Sequence, residues 1–257
     1  MSKAILKRYR RTWKKTDGWF YWQSVALWDS LLEFQAREGI TGDLLEIGVY
    51  HGLSAGLMLL HTRPGQEQCR LVDFELARGR IERSFRRLPD EAVATASLIE
   101  RDSTTLWDLP EVMDQRGRYR WIHIDGGHNV RLFLNDLKLA HELAAEDAVV
   151  SVDDIYNWAY PQLTEQLMHY VREHPEQFIL FLNGFNKAYL ARPAHVRRYL
   201  DHCYHNLIDE MEANADVKAC LAKSDHPEVL DGFGIGDRHN DGRKHRGRDE
   251  DLDRILY

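Results

Sequence analysis

The fold of this chain is decided by one stretch, Asp43-Leu44-Leu45-Glu46-Ile47-Gly48-Val49-Tyr50-His51-Gly52-Leu53-Ser54-Ala55-Gly56. A short apolar run ends near the acid Glu46, turns through Gly48 and Gly52, and continues into an apolar helical pattern. In α/β proteins this order brings a nucleotide-like ligand to the carboxyl end of the first strand. Glycines allow a tight turn and a close approach of the ligand to the backbone. The stretch therefore predicts a ligand site, the alternative being a tight strand–helix turn without a ligand.

The spacing of the turn indicates which ligand it binds. From Glu46 to Ser54 the pattern is Glu-x-Gly-x-x-x-Gly-x-Ser, and Tyr50 stands where a dinucleotide-binding turn has its middle glycine. A large side chain there argues against a pyrophosphate and for a ligand without phosphate, such as S-adenosylmethionine. Asp73 closes the next apolar run, about 20 residues beyond the turn, where an acid commonly binds ribose hydroxyls. Its alternative role is to cap the next helix.

From residue 43 onward, short apolar runs alternate with helical patterns. This alternation predicts a Rossmann-like, doubly wound α/β fold with a parallel sheet, whose strands end along one edge. Asp102 and Ser103 follow the third strand, where they either reach an adenine ring or begin the next helix. Asn183-Gly184 predicts an antiparallel hairpin. The strands are predicted at 44–47, 70–73, 97–100, 121–125, 148–152, 178–182 and 187–191, and the helices at 18–38, 53–62, 76–88, 104–116, 129–145, 162–173 and 195–213.

The ends of the chain differ in character from its middle. The charged side chains of residues 1–15 are all basic, which suits contact with anionic lipid, RNA or a phosphorylated substrate, although a mobile terminus is the simpler expectation. The amphipathic helix at 195–213 offers an apolar face for a homo-oligomer. The predicted segments are a basic arm and N-terminal helical cap (1–40), a ligand-binding domain (41–192), a C-terminal helical extension (193–233) and a disordered tail (234–257).

The composition restricts the partners and the compartment. The net charge of −7 gives no general reason to expect a nucleic-acid partner. The three cysteines are odd in number and widely spaced, which argues against a disulfide framework and for a reducing compartment. The basic N-terminus lacks the apolar core of a signal peptide, and no apolar run is long enough to span a membrane. The composition therefore predicts a cytoplasmic protein.

Three aspartates predict a metal site. Asp125 closes the fourth predicted strand, and Asp153 with Asp154 closes the fifth. If these strands are neighbours, three carboxylates converge where ligands bind, and uncompensated anions so close together repel strongly. A hard divalent cation removes the repulsion, and oxygen-only ligands favour Mg²⁺. The prediction depends on there being no lysine or arginine that already neutralises the three carboxylates.

His128 is the candidate general base, because it begins a helix three residues after Asp125. The positive end of the helix dipole favours a neutral imidazole, which a base needs near neutral pH. Nearby carboxylates and a metal act in opposite directions on its pKa, so the net direction stays open. The alternative is a helix-capping or core histidine. Tyr156, Asn157 and Trp158 directly follow the predicted metal ligands and are candidates for contact with the substrate.

Taken together, these motifs resemble those of class I S-adenosylmethionine-dependent methyltransferases. Within that class the resemblance is to the metal-dependent macrocin/novobiocin-type sugar and natural-product O-methyltransferases, over about residues 40–192. It implies a seven-stranded sheet whose last strand is antiparallel. The motifs that carry it are Leu45-Glu46-Ile47-Gly48-Val49-x-x-Gly52-x-Ser54-Ala55, Ile124-Asp125-Gly126-Gly127-His128 and Val152-Asp153-Asp154.

The resemblance also implies roles for single residues. Many sugar O-methyltransferases of this group have an acid, proposed as the base, shortly after the aspartate that corresponds to Asp125. This chain departs from that pattern, because Gly126 and Gly127 precede His128. Asp125, Asp153 and Asp154 are the implied Mg²⁺ ligands. The turn and the resemblance together predict cofactor contacts from Glu46, Gly48, Tyr50, Gly52, Ser54, Asp73, Asp102, Ser103 and Asp125.

The sequence thus predicts a Mg²⁺-dependent O-methyltransferase that moves the methyl group of S-adenosylmethionine to a hydroxyl of a small molecule, a sugar or a natural product. Three alternatives stay open. The first is a metal-independent methyltransferase in which the aspartates act as caps. The second is a non-catalytic module that binds S-adenosylmethionine for regulation. The third is a nicotinamide-dependent reductase, against which Tyr50 in the turn weighs.

Overall fold

The chain folds around one mixed β-sheet. The structure is a computed structural model that describes residues 2–223, 232–238 and 244–246. The strands run in the spatial order β10-β8-β9-β6-β7-β5-β4-β1-β2-β3. They are β1 (Asp43–Ile47), β2 (Cys69–Asp73), β3 (Ala96–Glu100), β4 (Tyr119–Ile124), β5 (Ala144–Val152), β6 (Ile179–Gly184), β7 (Lys187–Ala191), β8 (Ala219–Lys223), β9 (Phe233–Asp237) and β10 (His245–Arg246).

The first seven strands form the sheet that the alternating pattern predicts. β1 to β5 pair in parallel, and β7 lies antiparallel between β5 and β6. The Rossmann-like α/β fold and the antiparallel last strand are therefore confirmed. Because β1 and β4 are central neighbours and β4 pairs with β5, the carboxyl ends of these strands meet at one edge.

The prediction of seven strands is wrong, because the sheet continues beyond β6. β9 pairs in parallel with β6, β8 pairs antiparallel with β9, and the two-residue β10 lies beside β8. The sheet therefore has nine strands and a short tenth among the described residues. β9 reads Phe-Gly-Ile-Gly-Asp, and glycines inside a strand weaken its sequence signal. Residues 234–238 and 244–246 therefore contradict the predicted disordered tail, and the rest of 234–257 lies outside the described residues. β8 likewise shows that the predicted helical extension at 193–233 is helical only in part.

Helices cover both faces of the sheet, as a doubly wound fold requires. One core contains side chains of α1 to α4, α9 and α10, and the other contains side chains of α6 to α8. The helices are α1 (Ser2–Trp13), α2 (Trp22–Arg37), α3 (Leu53–His61), α4 (Arg78–Phe85), α5 (Asp90–Val93), α6 (Pro110–Met113), α7 (Val130–Leu143), α8 (Pro161–Glu173), α9 (Pro193–His202) and α10 (Ile208–Ala215), with a 3₁₀ helix at Ser103–Asp108 and a π-helical turn at Cys203–Leu207.

The basic arm is a packed helix, so the expectation of a mobile terminus is wrong. In α1 the side chains of Leu6, Tyr9 and Thr12 are buried, at a spacing of three residues that places them on one helical face. The Tyr9 hydroxyl donates a hydrogen bond of 2.6 Å to the backbone oxygen of Leu53. The many charges conceal this narrow apolar stripe in the sequence. The basic side chains lie on the opposite, exposed face of the helix.

The helix predicted at 195–213 is present as α9, the π-helical turn and α10 in succession. Its apolar side chains, among them Val196, Tyr199 and Leu200, are buried against the chain's own α2 and β6. That apolar face is therefore not available for a homo-oligomer. The helix predicted at 104–116 is divided instead, because Pro110 disfavours helical backbone at the preceding residue, Leu109. Among the described residues, every helix is too short or too polar to cross a membrane.

Candidate active site

A large cavity opens at the carboxyl edge of the sheet, where the sequence places the ligand site. Its volume is about 910 Å³, within the range of small-molecule sites. Its wall includes most of the predicted residues but not Glu46, Gly52, Tyr156 or Trp158. The predicted residues in the wall are Gly48, Tyr50, Ser54, Asp73, Asp102, Ser103, Asp125, His128, Asp153, Asp154 and Asn157.

The two glycines of the turn serve packing within the protein. Gly48 has φ +94°, and a Cβ there would come within 1.9 Å of the backbone oxygen of Asp125. Gly52 begins α3 with φ +77°, and its Cβ would come within 3.0 Å of the Phe85 ring. The positive φ values show the predicted tight turn. The missing Cβ of Gly48 also lets the end of β1 lie directly against the end of β4, a role that was not predicted. The close approach of a ligand to these glycines stays a prediction.

Asp73 holds the turn in place. One carboxylate oxygen accepts hydrogen bonds from the backbone N–H groups of Val49 and Tyr50, at 2.7 and 3.0 Å. The other accepts from the N–H of Glu75 at 3.2 Å, before α4 begins, so Asp73 does not cap that helix. Each carboxylate oxygen has two lone pairs, and the second oxygen keeps one for a ligand in the cavity. Asp73 thus joins the end of β2 to the turn at the cavity wall.

Glu46 lies beneath the turn rather than in the cavity wall. Its side chain is fully buried, and the Ser54 hydroxyl donates a short hydrogen bond to its Oε1. Burial raises the pKa of Glu46 well above its usual range, and the bond from Ser54 only partly opposes this effect. Its Oε2 has no hydrogen-bond partner among the described residues. The contact of Glu46 with a cofactor stays a prediction.

Asp102 is the N-cap of the 3₁₀ helix that follows β3. Its Oδ1 accepts hydrogen bonds from the backbone N–H and the hydroxyl of Thr104, at 2.8 and 2.7 Å, and these bonds lower its pKa. Asp102 and Ser103 also line the cavity. The structure therefore shows the cap, and the contact with adenine stays a prediction that the cap does not exclude.

We expect Asp102→Ala to lower the free energy of unfolding by about 0.5–2 kcal/mol, the usual cost of losing an N-cap. Asp102→Asn is the matched control, because its amide oxygen still accepts from Thr104. Urea unfolding of both variants measures the difference. Equal loss in the two variants would contradict the cap as the source of the effect.

The three aspartates gather at the ends of β4 and β5 as two overlapping groups. In one, Nε2 of the buried His123 lies 3.9 Å from Asp125 and 4.0 Å from Asp153. In the other, Asp125 and Asp154 face His128. Asp125 belongs to both groups. Its side chain keeps 35% of its surface exposed, at the cavity, but protein surrounds it on the other sides. This desolvation and the charge of Asp153 raise the pKa of Asp125 well above the usual range.

A buried lysine neutralises one of these acids. Lys187, the first residue of β7, is almost fully buried, and its ammonium group forms an ion pair with Oδ2 of Asp153. The rings of Phe20 and Trp28 lie 5.4 and 5.9 Å from the same ammonium. The condition on which the metal prediction depends therefore fails for Asp153. It holds for Asp125, which has no ion pair with lysine or arginine among the described residues.

Asp154 is held by three donors. Its φ is +59°, and its Oδ1 accepts from the side-chain amides of Asn157 and Asn186 at 2.8 and 2.7 Å. Its Oδ2 lies 3.1 Å from Nε2 of His128. Although burial acts in the opposite direction, the bonds from His128 and the two asparagines lower the pKa of Asp154 to about 2.

His128 is protonated at neutral pH in this arrangement. The carboxylates of Asp125 and Asp154 raise its pKa to about 10, which outweighs the effect of burial. The imidazolium therefore acts here as a counter-ion of the two acids. The Tyr160 ring lies 4.1 Å from the His128 ring, between centroids. The role of His128 as a general base stays a prediction. It requires that another cation replace the imidazolium as the partner of Asp125 and Asp154.

The candidate substrate residues divide between the wall and the rim of the cavity. Asn157 lines the cavity and binds Asp154, whereas Tyr156 and Trp158 are exposed beside it. Lys187 is not among the predicted site residues, although a lysine at the start of an apolar strand is a detectable signal. His123 is not among them either, despite its place in an apolar run.

Comparisons with known proteins identify the class of this site. Residues 45–155 match a family model described as a methyltransferase domain. No curated protein matches the chain in sequence. Together with the fold and the turn, the match identifies the chain as an S-adenosylmethionine-dependent methyltransferase.

Several solved structures share the fold at low sequence identity. The cofactor-bound structure of Rv0187 from MTB has a TM-score of 0.52 and 16% identity, over 74% of this chain and 87% of that chain. The SAH-bound methyltransferase PaMTH1 of Podospora anserina has a TM-score of 0.51 and 15% identity, over 75% and 88%. The mycinamycin-pathway methyltransferase MycE, in complex with Mg, SAH and mycinamycin VI, has a TM-score of 0.52 and 13% identity, over 73% of this chain and 54% of its own.

Proposed function

We propose that this chain is a Mg²⁺-dependent O-methyltransferase that acts on a hydroxyl group of a small molecule, a sugar or a natural product. The observation that carries the proposal is the excess of carboxylates beside the turn, where Asp125 lacks a lysine or arginine partner among the described residues. MycE, which shares the fold, was solved with Mg and SAH.

The cavity fits S-adenosylmethionine at the wall formed by the turn and the ends of β2 and β3. Asp73 keeps a free lone pair there, and Asp102 with Ser103 continues the same wall. Tyr50 closes the turn beside Trp19, with 5.3 Å between ring centroids, and leaves no glycine cradle for a pyrophosphate. When bound, the cofactor supplies a methyl group on a sulfonium, so that a C–O bond forms, the C–S bond breaks and the acceptor hydroxyl loses its proton.

The donor set fits a hard divalent cation. Asp125 and Asp154 offer oxygen atoms to the cavity. Asp153 is paired with Lys187 but lies in the same cavity wall. We propose all three aspartates as the ligands of Mg²⁺. One lysine and one imidazolium face three carboxyl groups, and the raised pKa of Asp125 reflects its burial beside the charge of Asp153. Added positive charge would favour the ionised form of Asp125. Held by these three aspartates, Mg²⁺ would supply positive charge that lowers the pKa of the acceptor hydroxyl, and Asp125 and Asp154 would then no longer need His128 as their counter-ion.

The chain's own residues then position the acceptor and remove its proton. We propose His128 as the base that takes that proton; its Nε2 lies 3.1 Å from Asp154, and its ring lies beside Tyr160. Asn157 and Asn186 keep Asp154 in its orientation. Most of the acceleration comes from the rigid alignment of the acceptor with the methyl group, because the sulfonium is already an activated donor.

Chelation tests the proposal. We expect the protein to transfer label from methyl-labelled S-adenosylmethionine to a fraction of a small-molecule extract, and EDTA to lower that rate about 100-fold or more. Adding Mg²⁺ in excess of EDTA restores the rate. Labelling that EDTA leaves unchanged would overturn the metal dependence, and S-adenosylmethionine binding in calorimetry without any transfer would favour the regulatory module.

A metal-independent methyltransferase is the second candidate, and the Lys187–Asp153 ion pair favours it. In that enzyme Lys187 and His128 are the permanent counter-ions of the three acids. Asp153→Asn with Lys187→Met, which removes both buried charges together, separates the two candidates in the same assay. The metal-dependent enzyme loses turnover and its response to EDTA, whereas the metal-independent enzyme keeps its turnover and stays indifferent to EDTA.

A further inference from the structure

The exposed large apolar side chains of the described residues either line the cavity or lie within two residues of its wall along the chain. Exposure reaches 76% for Trp19, 75% for Phe74 and 92% for Trp158. Soluble monomers rarely gather exposed apolar groups in one place, and such a patch usually marks an interaction site. We call the six aromatic members of this set the aromatic rim: Trp19, Tyr21, Tyr50, Phe74, Tyr156 and Trp158, with Val130 as the one aliphatic member of the set.

These side chains concentrate at the cavity because they lie in, or next to, the chain segments that form its wall. Trp19, Tyr21, Tyr50 and Phe74 line the cavity directly. Val130 begins α7 two residues after the cavity residue His128, and Tyr156 and Trp158 flank the cavity residue Asn157. A bound small ligand covers the inward surfaces of such rings. Trp158, which lies outside the cavity wall, needs a larger partner.

Beside the rim lies a surface of basic helices. α1 and α4 both pack on α3, and the Thr16 and Ser84 hydroxyls join the two chain segments by a 2.8 Å hydrogen bond. Asp17 also contacts Arg80 at 3.3 Å. We call the exposed cations here the basic flank: Lys3, Lys7, Arg8, Arg10, Arg11, Lys14 and Lys15 of the first segment, and Arg78, Arg80, Arg83, Arg86 and Arg87 of the second.

The positive potential of the basic flank reaches the opening. His51 lies in the cavity wall. Burial lowers its pKa most, and the positive charges of Arg80 and Arg83 lower it further. The floor of the cavity is acidic instead, with Asp73, Asp125 and the pair Asp153-Asp154. The chain therefore presents positive charge beside the opening and negative charge inside it, despite a net charge of −7.

We propose that the opening of the cavity docks on an anionic membrane surface, with the aromatic rim among the headgroups and the basic flank against anionic lipids. Aromatic side chains with neighbouring lysines and arginines are the combination that binds membrane interfaces. A nucleic acid fits less well, because its phosphates would meet the acidic floor as its bases entered. If the proposed methyl transfer holds, on which this second step rests, the acceptor hydroxyl belongs to an amphiphile carried by that membrane.

Vesicle sedimentation tests the docking with the full chain. We expect the protein to cosediment with vesicles of phosphatidylcholine and phosphatidylserine in equal parts at least about tenfold more tightly than with phosphatidylcholine alone. Raised salt weakens this binding, because screening shortens the reach of the charges. Arg86→Glu with Arg87→Glu should lower it at least about tenfold. Trp158→Ala should also weaken it, in neutral and anionic vesicles alike.

The matched control reverses two exposed charges on the opposite face of the sheet, Lys138→Glu on α7 with Arg172→Glu on α8. We expect it to bind anionic vesicles like the unaltered chain. Equal loss in both double variants, no preference for anionic vesicles, or tighter binding of an RNA oligonucleotide than of the vesicles would overturn the docking. Calorimetry with S-adenosylmethionine, done without lipid, reports separately on the proposed function, so either proposal can fail alone.

Discussion

Asp125→Asn is expected to lower the rate of methyl transfer roughly 10²–10³-fold while the protein stays folded, which follows from charge stabilisation at the reacting centre. The substitution keeps the shape of the side chain and removes its charge. Because burial and the neighbouring Asp153 raise the pKa of Asp125, the folded state disfavours its charged form. Loss of that charge should therefore leave the free energy of unfolding unchanged or higher. Steady-state rates and urea unfolding of the same preparation measure both effects.

Asp108→Asn provides the control, since Asp108 is exposed and lies outside the cavity wall. We expect it to change neither quantity. A fall in stability that accompanies the loss of rate in Asp125→Asn would mean that Asp125 is a structural residue. An unchanged rate would remove Asp125 from the catalytic centre and, with it, the Mg²⁺ site.

Lys187→Met should have the largest effect on stability, a loss of about 3–5 kcal/mol in the free energy of unfolding. The ammonium of Lys187 and the carboxylate of Asp153 are both buried, and removal of one partner leaves the other charge without compensation. Methionine fills a similar volume between Phe20 and Trp28. Urea unfolding gives the change, and the double variant with Asp153→Asn should recover most of it.

Lys138→Met on the exposed side of α7 controls for the loss of a lysine in general, and its expected change is within about 0.5 kcal/mol. If Asp153 also binds Mg²⁺, the ion should restore part of the stability of Lys187→Met and little of that of the unaltered chain. A loss below about 1 kcal/mol in Lys187→Met would contradict the ion pair as a stabilising contact.

The sequence predicts the parts of the site that follow from strand periodicity. Apolar runs of four or five residues identify β1 to β5, and the acids that end β2, β4 and β5 are then assigned to one edge. The antiparallel hairpin of β6 and β7 follows from Asn183-Gly184. These predictions succeed because strand pairing and crossover handedness fix where the ends of the strands lie.

The remaining features depend on contacts between distant parts of the chain. Lys187 contacts Asp153 only because β7 pairs with β5, and no local sequence pattern predicts that contact. The same holds for the protonation of His128, which two carboxylates from different strand ends determine. In α1, three buried side chains among many charges give too narrow a stripe for a sequence pattern to separate from a free arm.

The C-terminal strands β8 and β9 cover the edge of the sheet at β6. β9 occupies the outer side of β6, and β8 in turn occupies the outer side of β9. A shorter chain that stopped after α10 would leave a row of backbone N–H and C=O groups on β6 open to pairing with any extended peptide, a recognised route to self-association. β9 therefore protects the edge of β6 from pairing with another chain, although its glycine-rich composition suggests a dispensable segment.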